Sequence, residues 1–409
     1  MDHKGVSAMS FKLKLKADIH HPSTTRRPLR VTTMESYIAT GRSPEDLCLI
    51  YPDLQGQGEV LLSINWGAIV IYDQATPLFE GQIIQVTEPA ERLENGDIIV
   101  TLIDAVYIAY KQRSDSNSLF LTERCDNFCI MCSQPPKNVD DSWRVNDALG
   151  IINLLDDEPR TLGISGGEPT TLGTDFLKIL AHCRETLPQT QLHILTNGKK
   201  LSNRDFINEI QQIGHQRVLW GVPLYGATAL DHDYHVQSRG AFNQTINGLY
   251  HLKTIGQHIE LRIVLTKDVL NNIEALCEFI ARNLSFVSFV ALMGIELTGF
   301  AKRNYVMVYS PMAEHLSDLL SAMKTLKMNG VQSWLYNIPQ CHLPLSLRDF
   351  AAQSISDWKN GFPQGCDDCA SKAICCGFFE SNLYHKSGVL IKSLSSINDE
   401  SYIGVKEQL

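Results

Sequence analysis

The chain has 409 residues, 44% hydrophobic and 20% charged, a balance that excludes a disordered or fibrous protein. At roughly 150 residues per domain, that length calls for two or three domains. With 36 Lys+Arg against 45 Asp+Glu the net charge is −9, which argues against a broad electrostatic grip on nucleic acid or an anionic membrane.

Residues 1–116 read as a β-rich N-terminal domain. Segments 11–15, 59–64 and 97–103 have strand character, and turn signals such as Asn95-Gly96-Asp97 separate them. The polar stretch from Lys111 to Asn117 marks the boundary. From 117 to 300, candidate strands at 118–121, 161–165, 191–196, 217–224, 260–266 and 286–293 alternate with helical segments at 143–155, 175–185, 204–213, 241–254 and 272–282. That alternation predicts an α/β fold, a parallel sheet in a partial (β/α)6 barrel with its chemistry in the loops at the carboxyl ends of the strands. Residues 301–388 lose the alternation, with one amphipathic helix expected at 313–328. Residues 389–409 read as a tail without periodicity. No apolar run reaches the ~18 residues of a membrane-spanning helix. The start, Met1-Asp2-His3-Lys4-Gly5, has no export-signal pattern, so a cytoplasmic location is expected.

Eleven cysteines sharpen the reading. Cys48, Cys183 and Cys277 stand alone, whereas the others fall into a tight triplet and a late group. In a reducing compartment such groups bind metal rather than pair as disulfides. The triplet is Cys125-x3-Cys129-x2-Cys132, directly after the first strand of the alternating region. Three thiolates in eight residues can converge on one inorganic body. A structural zinc site takes four ligands, while a three-thiolate loop leaves one corner of a four-iron cluster open to a ligand. Half of a zinc site remains an alternative on spacing alone. One βα unit later comes Gly166-Gly167-Glu168-Pro169. Its glycines let backbone approach a ligand closely, and Glu168 can accept hydrogen bonds from a cationic amine.

Together the two motifs resemble the radical S-adenosylmethionine (SAM) superfamily over residues 118 to 300. The resemblance implies that Cys125, Cys129 and Cys132 hold a [4Fe–4S] cluster whose open iron is chelated by SAM. It further implies that Glu168 binds the methionine amine, that Gly166 and Gly167 line its path, and that Met131 packs against the adenine. Thr196, Asn197 and Arg262 would serve the ribose and carboxylate, although a plain turn and a barrel-lining arginine are open alternatives. The implied chemistry is one-electron cleavage of the sulfonium, giving a 5′-deoxyadenosyl radical that takes a hydrogen atom from the substrate. That step needs no acid or base, so no catalytic side chain is singled out. His232 and His235 are either substrate contacts or solvated loop residues.

The late group, Cys366-x2-Cys369-x5-Cys375-Cys376 with Cys341 upstream, offers soft ligands for a second site. Adjacent cysteines seldom both ligate one metal, which favours Cys341, Cys366, Cys369 and Cys375. An auxiliary Fe–S cluster is expected there, with a four-thiolate zinc site as the alternative. Finer motifs are Cys132-Ser133-Gln134-Pro135-Pro136-Lys137, Tyr336-Asn337-Ile338-Pro339 and the stretch from Ser354 to Asn360. They resemble the His-Xaa-Ser system radical SAM maturases (HxsC family). Members of that family usually end the late group in Cys-Gly-Gly-Phe-Phe, where this chain has Cys375-Cys376-Gly377-Phe378-Phe379. The resemblance implies a peptide or small-protein precursor, a one-electron reductant such as flavodoxin or ferredoxin, and a companion radical SAM enzyme. Strand addition at an edge of the N-terminal domain is a possible mode of peptide recognition. A small-molecule enzyme of the molybdopterin cyclase type and a non-catalytic metal-binding scaffold are the competing readings.

Overall fold

Strand character near the N-terminus closes into a barrel. The computed structural model describes residues 13–23, 26–51, 63–72, 79–87, 92–357, 359–385 and 390–403. Seven strands form the barrel: β1 (Lys14–His20), β2 (Leu29–Thr32), β3 (Leu47–Ile50), β4 (Ala68–Ile71), β5 (Ile83–Val86), β6 (Ile98–Thr101) and β7 (Ala105–Tyr110). They pair in the order β1-β5-β4-β3-β2-β6-β7, and β7 returns to β1 through Lys14↔Tyr107 and Leu15↔Val106. In β1, Leu15 and Ala17 are buried while Lys14 and Lys16 are exposed, the period of a half-buried strand. Leu15, Val31, Val70, Ile84 and Val106 meet in the interior. Leu49, Ile69 and Ile71 face outward beneath Trp66, Met34 and Tyr37. Among the described residues every barrel strand has two neighbours, so these seven strands leave no edge for the expected strand addition. Of the strand expected at 59–64, residues 59–62 lie outside the described residues, as do Phe11 and Lys12.

Two arginines fasten the barrel to the helix Trp143–Leu154. Buried Arg30 donates to the Leu154 carbonyl at 3.1 Å and pairs with Asp156 at 2.6 Å. Arg42 donates to the carbonyls of Asn153 and Leu155 and shares Asp156. Guanidinium groups on the last carbonyls of a helix satisfy its open acceptors and complement its dipole.

The second sheet consists of β8 (Ser118–Phe120), β9 (Thr161–Ser165), β10 (Gln191–Leu195), β11 (Val218–Pro223), β12 (His258–Val264), β13 (Phe289–Met293) and β14 (Ser333–Tyr336). All seven are parallel, in sequential order, and the sheet is open. Six strands were expected; the seventh, β14, comes from the stretch 301–388, where the alternation had faded. Helices Thr174–Thr186, Arg204–Ile213, Ala241–Thr254 and Ile273–Asn283 match expectation to within a residue or two. Along each strand one set of side chains, such as Leu162 and Ile164, packs under these helices. The alternate set, including Ser165, His193 and Arg262, faces the concave side. The helix expected at 313–328 is a short 3-10 turn, Met312–Glu314, followed by the helix Leu316–Met328.

Beyond the sheet, β15 (Asn360–Gly361) and β16 (Phe378–Phe379) form an antiparallel ribbon. Cys366, Cys369, Cys375 and Cys376 lie on the chain between them. The tail is not free-standing. Leu394 and Ile403 are buried against Cys341 and Phe378, and the Ile403 amide donates to the Cys341 carbonyl at 2.9 Å. Arg348 donates to the carbonyls of Asp399 and Ser401. Among the described residues, no helix is long and apolar enough to cross a membrane.

Candidate functional site

The Cys125–Cys132 loop leaves β8 at the carboxyl end of the sheet, where loop chemistry belongs in this architecture. Asp141, almost fully buried, fixes its start by accepting from the Thr122 hydroxyl at 3.0 Å and from the Glu123 amide. Its far end is tied by Phe128 and Ile130, whose amides donate to the carbonyls of Val236 and His235. The Asn304 side chain and the Phe300 amide hold the carbonyls of Ile130 and Cys132.

The Gly-Gly-Glu loop after β9 lies directly on this loop. The Gly167 amide donates to the Thr122 carbonyl at 2.7 Å and the Glu168 amide to the Arg124 carbonyl at 2.8 Å. A Cβ on Gly166 would sit 2.7 Å from the Thr122 oxygen, and one on Gly167 would sit 2.3 Å from the Arg124 oxygen. The close approach that these glycines permit is therefore to the backbone of the cysteine loop itself.

Glu168 is buried and already engaged. Its Oε1 accepts from the Thr170 amide at 3.0 Å, the Thr170 hydroxyl and the Thr196 hydroxyl at 2.7 Å; its Oε2 accepts from the Asn197 amide. Burial raises its pKa against the pull of these donors. A carboxylate has about four acceptor positions. Three donors share Oε1 and one takes Oε2, so the position left open is one lone pair on Oε2. Asn197 donates from its side chain to Asp126 of the cysteine loop at 2.6 Å. Met131, expected against an adenine, is 5% exposed within the main core.

Arg262 reaches the concave face, donating to Glu260 Oε1 at 2.8 Å and to the sulfur of Met293 at 3.2 Å. The other Glu260 oxygen meets His193 Nε2 at 2.5 Å. Burial opposes the Glu260 charge, but Arg262 and His193 outweigh it and hold the pKa below the usual carboxylate value. His232 and His235 are not loop residues; they lie in the helix Ala229–Val236 and are buried. His232 accepts from the Tyr225 amide and His235 bonds Thr266, so both brace the fold.

Lys199 was not singled out from sequence. Its ammonium reaches the Asp126 carboxylate at 2.9 Å, the Asp126 carbonyl at 3.0 Å, Asn127 at 3.1 Å and Ser238 at 3.0 Å. It clamps the middle of the cysteine loop from the turn after β10. Its only signal was a cation following Thr196-Asn197-Gly198. Asp141 gave none, because one acidic residue in a polar stretch reads as solvated.

Burial pushes the Cys125 thiol up to about 12, and those of Cys129 and Cys132 upward as well. Such thiols are poor nucleophiles and become thiolates only when a metal displaces the proton. In the late group, Cys375 is held low by the Cys376 thiol and by the amides of Gln340 and Gly377, both at 3.4 Å. Cys376 is pushed up and turns to the Gly377 carbonyl at 3.2 Å. Cys341, Cys366, Cys369 and Cys375 lie close enough to act on one another electrostatically. Among the described residues, no three Cys, His, Asp or Glu side chains are spaced to share a single metal ion. In donor chemistry the three thiols of the Cys125–Cys132 loop fit a four-iron cluster that keeps one corner open.

No family model matches the chain. Fe-coproporphyrin III synthase of Methanosarcina barkeri is 27% identical over 165 residues, 39% of this chain and 39% of that protein, so the match spans less than half of that relative. Among solved structures, Streptococcus suis SuiB bound to S-adenosylmethionine is 17% identical, covering 58% of this chain and 50% of that one at a TM-score of 0.42. The protein anSMEcpe with bound AdoMet and a peptide is 15% identical over 53% of this chain and 62% of that one, also at 0.42. A radical SAM methyltransferase from Sphaerobacter thermophilus is 16% identical over 59% and 70%, at 0.37.

Proposed function

We propose that this chain is a radical SAM enzyme that modifies a ribosomally made peptide or small protein by hydrogen abstraction. The observation that carries the reading is the docking of the Gly166-Gly167-Glu168 loop on the Cys125–Cys132 loop at the carboxyl ends of β8 and β9. In this reading Cys125, Cys129 and Cys132 hold the cluster, and Cys341, Cys366, Cys369 and Cys375 hold an auxiliary one. Bound cluster and SAM supply one-electron chemistry able to open an unactivated C–H bond. The protein's part is binding and exclusion. Glu168 Oε2 takes the methionine amine, Lys199 and Asp141 hold the loop in place, and the Glu260–Arg262 pair presents a fixed charge pattern to the concave side. The peptide type rests on the motifs around Cys132, Cys341 and Cys366. A precursor peptide, an electron-donating flavodoxin or ferredoxin and a companion radical SAM enzyme complete the proposal.

The test is formation of 5′-deoxyadenosine, followed by mass spectrometry after anaerobic reconstitution with iron, sulfide, SAM and a strong reductant. Cys132→Ala is the control. Product in the wild type alone supports the reading. A fully iron-loaded wild type that stays silent even with candidate precursor present refutes it.

A further inference from the structure

A cleft of about 360 Å³ opens between the two cysteine groups. One wall is the segment from Leu297 to Ala313, whose Phe300 and Asn304 hold the Cys125–Cys132 loop. The opposite wall is Asn337 to His342, which carries Cys341, together with Phe378 beside Cys376. The floor is the carboxyl end of the sheet, at Leu265 and Gly294.

The chemistry of the lining is uniform. Among the described residues, no Asp, Glu, Lys or Arg contributes to it. Four of its polar side chains have partners: Asn382 bonds the backbone of Leu297 and Ile295, Asn337 accepts from Ser354, Ser310 bonds His315, and His342 bonds the Leu390 carbonyl. What is left is apolar, an aliphatic majority with four aromatic rings, Tyr305, Tyr309, Phe378 and Phe379. Tyr309 stacks on Tyr305 with centroids 4.7 Å apart, and Tyr305 stacks on His385 at the same distance.

We infer that this cleft receives an uncharged, apolar side chain of the substrate peptide, for which Phe serves as the probe, an inference that rests on the peptide-modifying reading. Burying an unpaired charge here is costly, because among the described residues no Asp, Glu, Lys or Arg of the lining offers it a counter-charge. A flat ring, by contrast, can stack or meet edge-on with the tyrosines and Phe378. The same argument disfavours substrates rich in anions. The carboxylates of a coproporphyrin or the phosphates of a nucleotide would find no cation in this lining.

The experiment titrates the full-length, reconstituted protein with three blocked pentapeptides, Gly-Gly-Xaa-Gly-Gly with Xaa = Phe, Lys or Glu, by saturation-transfer NMR. The Phe peptide is expected to bind at least about tenfold more tightly than either charged one. Ala313→Glu places a carboxylate in the half-buried wall and should reverse the order for the Lys peptide, while the size-matched Ala313→Gln should not. Equal binding of charged and aromatic peptides, no binding of any, or an unchanged order in Ala313→Glu overturns the inference. 5′-Deoxyadenosine is measured on the same preparations. Product without peptide selectivity sinks the cleft assignment alone; selectivity without product, even after candidate precursor is added, sinks the radical SAM reading alone.

Discussion

The contact between the two motif loops can be broken by one methyl group. In Gly167→Ala the new Cβ would lie 2.3 Å from the Arg124 oxygen and 2.7 Å from its carbonyl carbon. Ordinary contact begins near ~3.5 Å, so the loops must part by about 1 Å. Both clashing atoms are backbone, and no rotamer change relieves them. Parting strains the hydrogen bonds from Gly167 to Thr122 and from Glu168 to Arg124. At about 1 kcal/mol each their loss costs ~2 kcal/mol, small against a folding stability of 5–15 kcal/mol for a typical domain. For a unit of this size that is a drop of roughly 4–8 °C in Tm. The expected result is a folded protein that binds markedly less iron at the first cluster and yields little 5′-deoxyadenosine. Gly256→Ala is the matched control. Its φ of +73° strains an alanine by roughly 1–2 kcal/mol, yet its Cβ would meet nothing within 4 Å. A similar Tm loss with full iron loading is expected there. Gly167→Ala with wild-type Tm and wild-type iron would refute the argument that these glycines serve loop-on-loop docking.

Three further outcomes follow from the geometry. Lys199→Met keeps the aliphatic stem but removes the clamp on Asp126 and Asn127; losing ~1–2 kcal/mol of loop restraint should speed chelator stripping of iron roughly 5- to 30-fold, and an unchanged rate contradicts the clamp. Cys375→Ser should lower total iron by about four per chain while Cys376→Ser leaves it unchanged, since Cys375 acts electrostatically on Cys341 whereas the Cys376 thiol is turned to the Gly377 carbonyl; the reverse pattern would make Cys376 the ligand. His232, buried and neutral, has its pKa lowered from 6.5 to about 4, chiefly by desolvation. The unfolded chain therefore binds the extra proton first, and stability present above pH ~6.5 is lost by about pH 4, a total of roughly 3 kcal/mol. His232→Asn can still accept from the Tyr225 amide and should flatten urea midpoints over that window; parallel curves for variant and wild type would exclude His232 as the cause.

What the sequence made legible was local. The helix Arg204–Ile213 and strand β9 announced themselves because their buried residues recur at 3.6 and 2. The two loop motifs were legible because glycine and cysteine are rare in combination and their spacing is short. Barrel closure was not, since it depends on β1 meeting β5 and β7 across more than sixty residues, with no local trace of the partner. β14 was missed for a related reason. Four residues, with Trp334 partly exposed and an edge position covered by Phe350 and Ala352, carry too little pattern to stand out. The packing of the tail was not legible because two anchors, Leu394 and Ile403, do it, and single anchors have no period.

The glycines of the Gly-Gly-Glu loop teach the sharper lesson. A pair of glycines says only that something comes close; the sequence does not name the neighbour. Here the neighbour is the Thr122–Arg124 backbone, and the consequence reaches the chemistry. Glu168 can present one free lone pair at a fixed place because its own amide and that of Gly167 are tied to the loop that bears Cys125, while its Oε1 is held by Thr170 and Thr196. Ligand loop and acceptor carboxylate therefore move as one body. A substitution that loosens either loop displaces both, so loss of iron and loss of SAM binding should appear together in Gly167→Ala and separately in no single-site variant confined to this contact.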